Sequence, residues 1–136
     1  MKSDKKPSVL VCVTGQYDCD RLIREGHNTA VEQNLELHVL MVHKPISDYA
    51  FLGAEAEYLY RVTKELGSDM TLMFSDNPAQ TAVDYAKSIH AKQLVTGMSD
   101  GSPNNFVYTV STLAPHLPIK MVSKDNIVYT YDVEFV

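Results

Sequence analysis

The sequence has no tryptophan, two cysteines, and fewer basic residues than acidic ones: 12 Lys and Arg against 17 Asp and Glu, a net charge of −5. Each shortage excludes something. The acidic balance argues against a nucleic-acid or anionic-membrane partner. Two cysteines, Cys12 and Cys19, are too few for a disulfide framework and read as free reduced thiols without a role. No apolar run approaches the roughly 20 residues of a membrane span. The Lys/Ser/Asp-rich start leads into an apolar run too short and too β-branched for a signal peptide, so a cytoplasmic place is expected.

What is present is a globular composition. Hydrophobic residues make up 45% of 136, and charged residues 21%. That length suits one domain over residues 1–136, with 1–7 expected to be disordered. Ser8 to Thr14 is β-branched and continuously apolar, as a strand buried on both faces should be. Asp18 is a candidate N-cap for a helix running to Gln33, with Asn34 closing it. Leu35 to Val42 reads as a second strand. A helix from Gly53 ends at Gly67, and Met70 to Phe74 is a third strand. Asn77-Pro78 reads as an N-cap followed by proline at the first helical position. Gln93 to Thr96 is a fourth strand. The polar stretch Ser99 to Asn105 leads to a fourth helix with Phe106, Val110 and Leu113 on its inner face. Ile119 to Val122 is a fifth strand, and Ile127 to Val136 alternates like a half-exposed strand returning antiparallel beside it.

Strand alternating with helix implies an α/β fold, an open parallel sheet with helices on both faces. Ligands in such sheets lie at the carboxyl ends of the strands. Familiar chemistry is missing there. Gly15 alone follows the first strand, so no dinucleotide fingerprint exists, and no Walker loop is present. Gly97-Met98-Ser99-Asp100-Gly101 approaches a nucleophile elbow. With His116 it defines one alternative, a weak Ser99 esterase-like enzyme without a third triad member. The five histidines show no metal-ligand spacing.

Six segments together resemble the universal stress protein family. They are Val9 to Thr14, the helix near Asp18, Leu37 to Pro45, Asn77-Pro78-Ala79, Leu94 to Gly97, and Ala114-Pro115 to Pro118-Ile119. They span residues 8–123 in family order. The VLVCV strand, the Arg21 to Arg24 helix start and Gln93 resemble the version found in osmosensitive potassium-channel sensor kinases. The resemblance implies five parallel strands in the order 3-2-1-4-5, and here an added antiparallel edge strand. It also implies a homodimer formed through the last strand, and a stress-response or signal-transduction role, with a signalling protein as a possible partner class.

Many members bind ATP through a Gly-x-x-Gly loop, nine residues, then Gly-Ser/Thr. Gly97 matches the first glycine. The second falls on Asp100, with Gly101 adjacent. Thirteen residues past Gly97 is Val110, followed by Ser111; counting back from Pro118 instead puts Asn104-Asn105 at that pair. Thr14 stands where the family has an Asp at the end of the first strand, and Val42 keeps the apolar character expected near adenine. The implied nucleotide site is Thr14, Gly15, Val42, Gly97, Ser99, Gly101, Ser102, Asn105 and Ser111. From Gly97 to Pro118 there is no Lys or Arg. Backbone N–H groups and the side chains of Ser99, Ser102 and Asn105 suit one phosphate better than three. The expectation is a non-catalytic regulatory or nucleotide-sensing protein with a degenerate phosphate loop, its ligand an adenine nucleotide: ATP, AMP or cyclic di-AMP. The alternative within the family is a true ATP binder with slow hydrolysis.

Overall fold

Six apolar residues in a row make β1 (Ser8–Val13), and all six are buried. Such a strand must be covered on both faces, which places it at the centre of the sheet. The computed structural model describes residues 6–14, 17–45, 53–98 and 105–131. After β1 come α1 (Asp20–Gln33), β2 (Glu36–His43), α2 (Gly53–Glu65), β3 (Met70–Phe74) and α3 (Pro78–Ser88). Then follow β4 (Ala91–Gly97), α4 (Asn105–Leu113), β5 (Ile119–Val122) and β6 (Val128–Tyr131).

The sheet order is β3-β2-β1-β4-β5-β6. The first five strands pair in parallel, and β6 pairs antiparallel with β5, Val122 opposite Val128. The expected 3-2-1-4-5 order and the returning edge strand are therefore both present. The return is tight. Asn126 adopts a left-handed φ of 65°, and the Ser123 N–H donates to the Ile127 carbonyl at 2.9 Å. The expected strand continues to Val136, but residues 132–136 lie outside the described residues, as do residues 1–5 of the expected disordered start.

The period of two along β1 divides the core. Val9, Val11 and Val13 join Leu22 and Ile23 of α1 with Leu59 and Val62 of α2. Leu10 and Cys12 join Ala82 and Val83 of α3 with Val107 and Val110 of α4. Both faces are thus sealed by apolar burial, the main term holding such a sheet.

Two local expectations change. Asp18 is not the N-cap of α1. Residues Tyr17–Cys19 form a 3₁₀ turn, Cys19 takes the cap position, and no side chain caps the helix. The Asp18 carboxylate pairs instead with Arg21 Nη1 at 3.4 Å. Leu113 is not on the inner face of α4; it is 40% exposed, and Val107 is buried in its stead. The sheet below selects the Val107–Val110 phase. Asn34 does close α1, with a left-handed φ of 57° and its N–H donating to the Ala30 carbonyl. Asn77 holds the N-cap position of α3 and Pro78 the first turn, but the Asn77 side chain makes no capping bond. The Ser75 hydroxyl accepts from the Asn77 N–H (2.9 Å) and the Thr81 hydroxyl (2.8 Å) there.

Candidate functional site

The strand order turns at β1. The chain leaves β1 toward β2 on one side and returns later to β4 on the other. That switch point leaves a crevice above the carboxyl ends of the strands, where the connecting helices diverge. A slot of about 220 Å³ lies there. Its floor is Cys12, Val13 and Thr14 of the β1 end, beside Val42 of β2 and Thr96 of β4. Its walls are Pro78 and Phe106, from the first turns of α3 and α4. A groove of about 580 Å³ adjoins it and shares Pro78 and Phe106. Asp76, Asn77 and Asn105 supply polar groups to the groove.

The slot is mostly apolar, with few polar atoms. The Thr96 hydroxyl donates to the Cys12 carbonyl at 3.5 Å. The Thr14 hydroxyl lies 3.5 Å from Cys19 Sγ. Burial pushes the Cys12 thiol up to about 12, so the floor carries no charge at neutral pH. A flat apolar slot with a few polar rim atoms suits an aromatic ring. A wider depression of about 740 Å³ lies elsewhere, at the amino end of β2. His27, Glu36, His38 and Asp69 line it. It is broader but lies at the end of the sheet away from the switch point, so the smaller slot is the better candidate.

No protein-family model matches the chain. It is 30% identical over 99 residues to "Sensor protein KdpD" of two Mycobacterium tuberculosis strains. That match covers 71% of this chain and 11% of the relative, so the chain spans about a tenth of that protein's length. A crystal structure of a universal stress protein in complex with cAMP aligns with a TM-score of 0.67 and 18% identity, over 89% of this chain and 99% of that one. The universal stress protein from Archaeoglobus fulgidus in complex with dAMP aligns with a TM-score of 0.65 and 16% identity, over 84% and 95%. The chain has the universal stress protein fold.

On that fold the expected site residues divide. Thr14 and Val42 reach the slot. Asn105 opens α4 at the groove and is exposed. Gly97 ends β4 but faces the other side of the sheet, where a Cβ would stand 3.5 Å from Leu22 and 3.7 Å from Arg21 Nη2. Ser111 does not join the site. It lies in the second turn of α4, where its hydroxyl donates to the Tyr108 carbonyl at 2.8 Å. The count from Gly97 overshoots because α4 begins at Asn105. Gly15, Ser99, Gly101 and Ser102 lie outside the described residues. His116 follows α4, just before the amino end of β5; its partner in the esterase alternative, Ser99, lies outside the described residues.

Sequence reasoning missed Pro78, Thr96 and Phe106 as slot residues, and it missed Arg21. The Arg21 guanidinium is a staple. Nε donates to the Ser123 carbonyl (2.9 Å), Nη1 to the Asp18 carbonyl (2.6 Å) and Nη2 to the Val122 carbonyl (3.3 Å). It ties the start of α1 to the end of β5. Among the described residues, no three His, Cys, Asp or Glu side chains gather to hold a metal ion, and no helix is long and apolar enough to cross a membrane.

Proposed function

We propose that this chain is a non-catalytic, cytoplasmic regulatory protein of the universal stress type that senses an adenine nucleotide in the crevice above β1, β2 and β4. The slot carries the reading. It is ring-sized, apolar, and placed at the switch point where this architecture binds ligands. The cAMP and dAMP complexes of fold neighbours support the choice of adenine. The likeness to a sensor protein supports a signalling context with a signalling protein as partner. The degenerate phosphate loop belongs to the same reading: among the described residues, the linings of slot and groove contain Asp76 and no Lys or Arg.

Isothermal titration with AMP, ATP and cyclic di-AMP tests it. Saturable binding of at least one of them is expected. Val42→Trp, which fills the slot, should weaken that binding at least about tenfold, the loss of roughly 1.4 kcal/mol or more of ring burial. If no adenine compound binds the wild type at millimolar concentration, the reading falls.

A homodimer through the last strand is proposed with it. β6 ends the sheet and leaves Val128 and Tyr129 exposed. An apolar edge of that kind invites pairing with a second strand. Sedimentation of a chain ending at Lys124 should show more monomer than the full chain. An unchanged dimer would put the contact elsewhere.

A further inference from the structure

Phe106 stands in the first turn of α4, half-buried against the cluster beneath α3 and α4. Its ring, with Pro78, is a wall common to slot and groove. The slot, about 220 Å³, is smaller than the roughly 300–1,000 Å³ of sites that enclose a whole ligand. It takes a base and leaves the rest of a nucleotide outside. Among the described residues, the groove that continues past Phe106 is lined by the carboxylate of Asp76 and by no cation. Arg21 reaches the strand ends beside Gly97, but its guanidinium is committed to three carbonyls and to Asp18. The charges of a triphosphate placed here would lose water and meet no side-chain cation among the described residues, and Asp76 would repel them. An aromatic face, by contrast, stacks on any base.

We propose, resting on the adenine reading above, that Phe106 is the specificity-determining wall of this site. Its ring stacks on the base, and its position in the first turn of α4 denies that turn to a polyphosphate chain. The ligand class is then a nucleoside or nucleoside monophosphate, taken in preference to a triphosphate. A purely packing role for Phe106 would give no such preference.

The test is equilibrium binding of adenosine, AMP and ATP with Mg²⁺ to wild type, Phe106→Ala and Phe106→Leu. Wild type should bind AMP at least about tenfold tighter than ATP. Both variants should lose about tenfold or more for adenosine and AMP. Their ATP affinity should hold or rise, so that the preference collapses. Phe106→Leu keeps most of the apolar volume and removes only the aromatic face, which preserves the test if the alanine variant unfolds. Equal loss for AMP and ATP in the leucine variant, or tighter binding of ATP by the wild type, overturns the proposal while leaving adenine binding intact. Binding of none of the three by the wild type overturns this proposal, and the adenine reading falls with it if cyclic di-AMP also fails to bind.

Discussion

Gly26→Ala should lower the unfolding free energy by about 2 kcal/mol. Gly26 is buried on α1, where the helix crosses the centre of the sheet. A Cβ there would sit 2.2 Å from Val11 Cγ2 and 3.2 Å from Leu37 Cδ1. Val11 cannot yield: it is fully buried in the central strand, and a β-branched side chain has little rotamer freedom. The helix must therefore lift off the strand. A 2.2 Å approach to a fully buried strand residue puts the cost at the upper end of the roughly 1–3 kcal/mol typical of overpacking. Alanine returns up to about 1 kcal/mol of helix propensity, which is too little to offset it. Urea unfolding measures the loss. The double variant with Val11→Ala isolates its cause, since the smaller strand residue makes room for the new methyl. Its loss should fall short of the sum of the single losses by about 1–2 kcal/mol. Strict additivity would mean that the Gly26–Val11 approach does not set the helix height.

The same contact shows what a sequence can and cannot display. The apolar run Ser8–Val13 announces a strand buried on both faces, and its alternation assigns Val9, Val11 and Val13 to one core cluster and Leu10 and Cys12 to the other. Strand ends follow from where such runs stop, and it is the family resemblance that implies Thr14 and Val42 as site residues, both of which reach the slot. The helical contribution is not. Phe106, Val107, Val110 and Leu113 permit two phases on a helix of nine residues, and only the sheet and α3 beneath decide between them. Phe106 thereby packs against the edge of that core and also lines the crevice. Arg21 is hidden for another reason: its carbonyl partners on Val122 and Ser123 lie 101 and 102 residues away. The Lys120 ammonium, donating to the buried Thr29 hydroxyl at 2.9 Å, is a second contact of that kind. No local pattern encodes such long-range pairs. Register counting fails at Ser111 because a glycine-loop template presumes a loop length that α4, starting at Asn105, does not leave.

Raising the pH above 9 should destabilise the protein, and Cys12→Ala should remove a large part of that sensitivity. Burial raises the Cys12 thiol from 9.0 to about 12. Below pH 9 both folded and unfolded chains keep the proton, and the full stability is present. Between pH 9 and 12 the unfolded chain releases it while the folded chain cannot, so the unfolded state binds fewer protons and stability falls as pH rises. One such group contributes a slope of about 1.4 kcal/mol per pH unit, which reaches about 2 kcal/mol by pH 10.5. Tyr58, raised chiefly by its hydrogen bond to the Asp20 carboxylate, acts in the same direction, so wild type alone cannot isolate the thiol. The comparison with Cys12→Ala can. At pH 7.5 the variant should be the less stable of the two, having lost a buried sulfur. By pH 10.5 the wild type should have lost about 2 kcal/mol more than the variant has. Urea unfolding at pH 7.5, 9 and 10.5 reads the crossover, and parallel losses would place the alkaline transition in other groups. The outcome bears on the site as well. Cys12 floors the slot, and a thiol that stays protonated keeps that floor neutral under a stacked base throughout the range in which the protein is folded.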